Sequence, residues 1–361
     1  MLVLRRGVVS EASAPDGLEQ RLVVDVPGRG PRAAIADVAL VGECVECDDV
    51  VVNTQAADLS LGSGGFDIVH VNLTRGLDGE GVDGAHVMKL NYSSIQHAVL
   101  PVEGAELGEP LRAPVGVVSL HGQLAPLAWA LGQARPGTQL GFVQTTGGAL
   151  PGGHSRVVRE LRERGLLAGF ITAGAAYGGE GEAISTAGAI HHGLRDLGWD
   201  AAVCAPGPGI LGSASALGHG GMTALDSAHA AAALGCEVVL CPRMSSGDAR
   251  ERHRGLSHHS RTVLDLLLVP VTLPVPAGSA ELVAGEAGSE AQPGGVAAAL
   301  ASSSGRVSPQ SPAHRVSVYA VDLAGYAESR LPARTMGRGI ADDELFFAAA
   351  LAAGAALAAS L

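Results

Sequence analysis

The chain has few aromatic side chains, because Phe, Trp and Tyr together make up only 3% of its 361 residues. It also has little positive charge, since 24 Lys and Arg stand against 36 Asp and Glu, for a formal net charge of -12. Proteins that bind nucleic acid use aromatic rings to stack on bases and positive charge to neutralise phosphates. This composition argues against nucleic acid as a partner.

Cysteine is also scarce, and its five positions are 44, 47, 204, 236 and 241. Cys204 and Cys241 fall in apolar runs, where buried and reduced thiols are ordinary. Cys44 and Cys47 form a C-x-x-C pair, but the chain has no second such pair to complete a zinc site. We interpret all five as free thiols and expect a cytoplasmic protein.

Long hydrophobic runs are nearly absent. No apolar segment follows Arg5 and Arg6, so the start of the chain does not resemble a secretory signal. Residues 345–361 are apolar and uncharged, but most are alanine and none is Trp, Tyr or a basic residue, which are the usual interface anchors. The acidic residues at 342–344 suit the first turn of a soluble helix. We expect a buried C-terminal helix and no membrane partner.

The length favours two domains, and the pattern changes near residue 110. Residues 1–110 alternate apolar and polar side chains in short segments separated by glycine-rich turns, which predicts a small β-barrel or sandwich. The predicted strands in this part are 21–26, 32–40, 49–53, 67–72 and 86–90.

Beyond this point, apolar runs recur without alternation, as expected for strands that are buried on both faces. The runs are 115–120, 141–144, 168–172, 201–205, 237–241 and 269–275. They predict a mainly parallel α/β sheet domain, formed by 111–276 with 314–361, that has helices on both faces. Residues 277–313 are rich in Ala, Gly, Ser and Pro and predict a flexible insertion.

The segment 243–262 reverses the charge of this acidic chain, because it holds five arginines and three histidines. Such a reversal indicates an anionic partner, and the arginine fork matches phosphate and carboxylate. The predicted ligand-binding side chains are Arg243, Arg250, Arg252 and Arg254. The predicted catalytic side chains, for proton transfer and its orientation, are His253, His258, His259 and Asp248.

Other candidates follow neighbouring strands, since ligands bind open α/β sheets at the carboxyl ends of the strands. The sequence 207–212 matches G-x-G-x-x-G, which predicts phosphate binding by Gly207, Gly209 and Gly212, or alternatively a tightly packed turn. Thr145 follows another strand and joins the ligand-binding candidates.

A divalent metal is the cofactor that these loops could hold. The candidate ligands are Asp248, Glu180 and His258, although their spacing matches no specific zinc or iron motif. The sequence does not identify the metal.

Four motifs carry a resemblance to a known family: 177–183 (YGGEGEA), 207–212 (GPGILG), 247–262 (GDARERHRGLSHHSRT) and 335–338 (TMGR). With them, the chain resembles a family of uncharacterised bacterial proteins, a domain of unknown function found in actinobacteria and Firmicutes. The resemblance covers nearly the whole chain outside 277–313 and implies one integral protein. It implies no activity, substrate or cofactor.

Three functions are consistent with these residues. The leading hypothesis is a hydrolase-like enzyme acting on a small anionic or phosphorylated metabolite. The first alternative is a non-catalytic sensor of a nucleotide-like or other anionic ligand, in which the β-domain responds. The second alternative is a structural ion network that has no ligand. The sequence leaves open whether the chain forms a homo-oligomer.

Overall fold

The computed structural model of the chain describes residues 1–60, 65–279 and 312–361. The chain divides into two compact units, one formed by Met1–Pro101 with Pro151–His154 and the other by Val102–Leu150 with Ser155–Leu361. The predicted insertion at 277–313 lies outside the described residues, apart from 277–279 and 312–313.

The first unit contains a closed barrel with the strand order β1-β2-β3-β5-β4. Its strands are β1 (Leu4–Ala12), β2 (Glu19–Val26), β3 (Gly30–Asp37), β4 (Asp49–Asn53) and β5 (Asp67–Asn72). β1 closes the barrel by pairing with β4, and β3 runs parallel to β5, as in an OB-fold. Alternate side chains such as Val24 and Val50 fill the interior. The small barrel predicted from the alternating pattern is confirmed.

Short elements accompany the barrel strands. They are α1 (Val38–Val41), α2 (Gln55–Asp58) and a hairpin of β6 (Val87–Lys89) with β7 (His97–Val99). The predicted strand 32–40 therefore ends early, because Asp37 caps α1 by accepting a hydrogen bond from the amide of Ala39.

The second unit is built on an eight-stranded parallel sheet. Its strands are β8 (Pro114–Val118), β9 (Leu140–Thr145), β10 (Gly169–Ala173), β11 (Gly181–Ala183), β12 (Ala201–Pro206), β13 (Glu237–Cys241), β16 (Thr272–Pro276) and β17 (Arg315–Tyr319). A separate hairpin pairs β14 (Met244–Ser245) with β15 (Gly255–Leu256). The sheet order is β11-β10-β9-β12-β8-β13-β16-β17. The unalternated apolar runs form this sheet, as predicted.

Helices cover both faces of the sheet. They are α3 (Leu124–Ala134), α4 (Arg156–Glu163), α5 (Thr186–Arg195), α6 (Thr223–Ala233), α7 (His258–Leu266), α8 (Leu323–Glu328) and α9 (Glu344–Ser360). One apolar core contains side chains of α5, α6 and α7, with Leu345 and Ala349 of α9, and the other contains those of α3, α4, α8 and most of α9. The neighbouring strands β8 and β12 thus send their helices to opposite faces, which opens a crevice at their carboxyl ends.

The C-terminal helix α9 is buried against α3, as expected for a helix of small residues. Gly354 permits this approach, because a Cβ atom there would lie 2.2 Å from the carbonyl oxygen of Leu127. Among the described residues, no helix has both the length and the apolar character needed to cross a membrane.

Trp199 occupies a slot lined by glycines from two strands and one helix. A Cβ atom at Gly141 would lie 1.8 Å from the indole, one at Gly193 would lie 2.2 Å away, and one at Gly169 would lie 2.8 Å away. The indole is 5% exposed and belongs to the core that contains α5 and α6. Close packing of the indole therefore requires glycine at these three positions.

Gly141→Ala should lower the free energy of unfolding by about 3 kcal/mol, because the indole and its neighbours must shift to admit one methyl group. Urea denaturation monitored by tryptophan fluorescence would measure the loss. Gly104→Ala is the matched control, since a Cβ atom there meets nothing within 4 Å. Equal stability of the two variants would contradict this account of the slot.

Candidate functional site

The segment after β13 and the segment after β12 meet beside the carboxyl ends of the strands. The first passes through β14, a 3-10 turn at Glu251–His253 and β15 before α7 begins at His258. Ser257 caps α7, since its hydroxyl accepts a hydrogen bond from the amide of His259. The segment after β12 ends at His219, directly before a 3-10 turn at Gly220–Met222.

Four imidazole rings from these segments pack together, and those of His219 and His259 are stacked. The ring centroids of His219 and His259 are 3.8 Å apart, and those of His258 and His259 are 3.9 Å apart. His253 lies 4.9 Å from His258 and 5.1 Å from His259 by the same measure. The structure therefore brings together the three histidines that the sequence predicts as catalytic, and it adds His219.

Three nitrogen atoms of this cluster are buried without a hydrogen-bond partner among the described residues. They are Nε2 of His258 and both ring nitrogens of His259. A buried polar atom without a partner costs about 1–3 kcal/mol, so native proteins seldom contain several in one place. Such a concentration indicates a site shaped for a ligand.

One ring nitrogen of His253 has a hydrogen-bond partner. Its Nδ1 lies 2.8 Å from the hydroxyl of Ser257. If Nδ1–H donates to this hydroxyl, Nε2 keeps a lone pair, and metal-binding histidines are commonly oriented by such a donation. Ser257 thus positions both His253 and, through the cap of α7, His259.

The histidines are held in the neutral form. Burial, followed by the charges of Arg243 and Arg250, lowers the pKa of His253 to about 3. Burial, followed by the neighbouring histidines and Arg243, lowers the pKa of His259 to about 3. Burial and then Arg252 lower the pKa of His258. Neutral imidazole is the form that binds metals.

The nitrogen atoms of the cluster are close enough to share one ion. One ligand atom each from His253, His258 and His259 lies within 4.8 Å of the others. Three atoms at that spacing share a centre no more than about 2.8 Å from each, and zinc–imidazole bonds are about 2.0–2.1 Å long. Shifts of about 0.7 Å per ring would close the difference.

Asp248 lies beside the histidines and is paired with arginines. Its carboxylate, 1% exposed, accepts hydrogen bonds from Arg250 at 2.9 Å, Arg243 at 3.3 Å and Arg338 at 3.4 Å. The hydrogen bonds and charge of Arg250, with the charge of Arg338, hold the pKa of Asp248 far below its usual range. Because its oxygens accept hydrogen bonds from three arginines, Asp248 is a poor metal ligand or proton acceptor, and we propose a structural role for it instead.

A second buried carboxylate completes this ion network. Asp343, 0% exposed, accepts hydrogen bonds from the hydroxyl of Ser245 at 2.7 Å, the amide of Ser246 at 2.8 Å and Nε of Arg338 at 3.0 Å. Three arginines therefore share two aspartates, which leaves one formal positive charge beside the histidines.

The predicted ligand-binding arginines differ in their freedom to bind. Arg243 is buried, which lowers its pKa to about 10. Arg250 is committed to Asp248, and Arg254 donates from Nε to the carbonyl oxygen of Asp248 at 3.0 Å. Arg252 is exposed and, after burial, is the largest cause of the lowered pKa of His258. Arg252 is therefore the best placed of the four to meet a ligand from solvent.

Glu180 is not part of the cluster. Its carboxylate pairs with Arg162 at 2.7 Å, and it directly precedes β11, at the amino end of that strand. β11 is five strands away from β13 in the sheet, which is about 24 Å at the usual strand spacing. Glu180 therefore cannot join His258 as a metal ligand.

The glycine motif is closely packed, and Thr145 is hydrogen-bonded within the chain. A Cβ atom at Gly207 would lie 2.2 Å from the carbonyl oxygen of Ala149, and Gly209 adopts a positive φ of 70°. The motif does not open a helix, because α6 begins only at Thr223, well after Gly212. The hydroxyl of Thr145 donates to the carbonyl oxygen of Thr146 at 3.2 Å. The tightly packed turn is thus the better interpretation of 207–212.

Sequence reasoning assigned no role to His219, Asp343 or Arg338. Arg338 belongs to the T-M-G-R motif, which was the one available signal, and Asp343 matched the acidic first turn of a helix. His219 stands alone in a glycine- and serine-rich stretch, where a single histidine carries little information.

Comparisons with known proteins give a family but no activity. The chain is similar to the crystal structure of YjeQ from Thermotoga maritima, at 13% sequence identity and a TM-score of 0.16. The match covers 62% of this chain and 65% of that chain, less than two thirds of its length, and carries no argument at this score. No curated protein matches the sequence. A family model matches residues 33–354, and the chain belongs to that family, "Protein of unknown function (DUF3866)".

Proposed function

We propose that the protein is a metal-dependent hydrolase acting on a small anionic, phosphorylated metabolite. The observation that carries this proposal is the set of unpartnered, buried nitrogen atoms of His258 and His259 beside His253. Three neutral imidazoles suit zinc, copper, iron or nickel, and zinc in catalytic sites commonly has three protein ligands.

The arginines explain why the substrate would be an anion. Arg243 and Arg250 both lower the pKa of His253, so positive charge surrounds the histidines. Arginine binds phosphoryl oxygens well, and fixed cations stabilise the charge that phosphoryl transfer spreads over those oxygens. A bound divalent metal would supply a water of lowered pKa as the nucleophile. The oxygen of that water would bond to phosphorus as the ester bond breaks, and a proton of the water would pass to the leaving oxygen.

A non-catalytic anion sensor is the second candidate, and the same arginine charges favour it. They oppose the binding of a lone cation among the histidines, whereas they attract an anion with or without a metal. Elemental analysis of protein purified without chelator or phosphate separates the two. Metal near one per chain supports the hydrolase, and phosphorus without metal supports the sensor.

We also propose that the protein is cytosolic. All five cysteines are free, and burial raises the pKa of Cys236 to about 11. Unpaired thiols of this kind support a reducing, cytosolic environment.

Arg252→Gln tests the proposed activity. We expect zinc-loaded protein to hydrolyse p-nitrophenyl phosphate, and the variant to raise KM about tenfold, because an exposed cation at the histidines is lost. Zinc content should be unchanged in this variant, since Arg252 is no ligand. Arg330→Gln, which removes another exposed arginine, is the control. Wild-type protein that takes up zinc but hydrolyses no phosphate ester would contradict the hydrolase proposal.

A further inference from the structure

His219 differs from the three proposed metal ligands in its hydrogen bonding. Its Nδ1 accepts a hydrogen bond from the backbone amide of Gly221 at 3.0 Å. A nitrogen that accepts from an amide carries no proton, so a neutral ring must carry its proton on Nε2. Nδ1 is occupied and Nε2 has no lone pair, which leaves no nitrogen of His219 free for a metal.

The ring of His219 nevertheless lies at the site. It stacks on His259 with a centroid distance of 3.8 Å and an angle of 24° between the rings. The amide bond to Gly221 and this stack hold the ring from two directions. His219 is thus a preorganised imidazole, whose orientation does not depend on a flexible side chain elsewhere.

The proton-bearing edge of this ring lies beside Gly212, which pairs with His219 in a β-bridge. A Cβ atom at Gly212 would lie 3.0 Å from Cδ2 and 3.7 Å from Nε2 of His219. Gly212 is exposed and His219 is half-buried. Nε2 has no hydrogen-bond partner among residues 1–60, 65–279 and 312–361, so its N–H is available to a bound molecule.

We propose that His219 donates a hydrogen bond from Nε2 to an oxygen of the substrate and does not bind the metal. This inference rests on the proposed function, because it assigns a role within that site. The donor keeps its proton throughout and stabilises the negative charge that develops on a phosphoryl or leaving oxygen.

The closing experiment compares His219→Phe and His219→Gln with the wild type. Phenylalanine keeps an aromatic ring to stack on His259 but has no N–H group, whereas glutamine retains an amide N–H. Zinc per chain, kcat and KM for p-nitrophenyl phosphate are measured for all three proteins. We expect His219→Phe to keep its zinc and to lose about 100-fold to 1,000-fold in kcat with little change in KM. His219→Gln should recover part of the loss.

The outcomes separate the two proposals. Loss of zinc in His219→Phe would make His219 a ligand and overturn the inference alone. Unchanged kcat in an active, zinc-loaded His219→Phe protein would do the same. A wild type without zinc or turnover would overturn both proposals. Long-range nitrogen NMR of the metal-free protein, assigned by the signal missing in His219→Phe, adds a test without catalysis, because a proton on Nδ1 would refute the assigned tautomer.

Discussion

His259→Ala should abolish metal binding, with zinc falling from near one per chain to a trace. His259 supplies one of three nitrogen atoms that lie within 4.8 Å of one another, and two remaining imidazoles cannot enclose the ion. We expect the affinity for zinc to fall by more than about 100-fold, which competition with a chelating dye would measure. The control is His192→Ala. His192 lies on α5, away from the cluster, and pairs with Asp196, so its replacement should leave the zinc content unchanged.

A second replacement of His259 distinguishes a metal-binding histidine from a structural one. Neither ring nitrogen of His259 has a partner among the described residues, so its replacement breaks no hydrogen bond of the ring. His259→Phe, which preserves the ring volume and the stack with His219, should therefore melt at or above the temperature of the metal-free wild type. Zinc should raise the melting temperature of the wild type by about 5 °C at 100 times its Kd and leave the variant unmoved. A variant that melts well below the metal-free wild type would instead indicate a structural histidine.

Asp248→Asn should cost about 3–5 kcal/mol of stability, because it leaves three arginines around a buried position without their shared countercharge. Urea denaturation at neutral pH would measure this loss. Asp226→Asn, on the exposed side of α6, is the matched control and should change stability by less than about 0.5 kcal/mol. Because Asp248 is not assigned as a ligand, folded Asp248→Asn protein should still bind zinc.

The pH dependence of stability gives this prediction a second readout. The pKa of Asp248 is lowered on folding, so the native state favours the ionised carboxylate. Its contribution is therefore fully present above the unfolded pKa of about 3.9 and is lost as the pH falls below that value. Between about pH 5 and pH 2, the stability of the wild type should fall more steeply than that of Asp248→Asn. Parallel curves would show that Asp248 does not provide this stabilisation.

Much of the fold could be predicted because burial leaves a regular pattern along the chain. The runs at 201–205 and 237–241 became the central strands β12 and β13, since strands covered on both faces must be apolar throughout. β11 was not predicted because it has no apolar run. It is three residues long, lies at the edge of the sheet and contains Glu182. β1 was missed as well, although it pairs with two neighbours to close the barrel.

The candidate site was predicted in part for a similar reason. The concentration of arginine and histidine at 243–262 is a local property, and it indicated the correct segment. Which of its charges face one another is not local, because Asp248 meets Arg338 from a stretch 90 residues away. Sequence proximity therefore suggested a metal ligand at Asp248, where packing places an anchor for arginines.

The sequence by itself determined the alternation of the barrel strands, the unbroken apolar strands of the sheet and the histidine-rich segment, since each is set by neighbours along the chain. Only the tertiary structure decided that His219 joins His253, His258 and His259, that Glu180 precedes the edge strand β11, five strands from β13, and that two aspartates hold three arginines. The reason is physical. Hydrophobic periodicity is written in adjacent residues, whereas the partners of a buried polar group come from whichever segments the sheet order brings to the same edge.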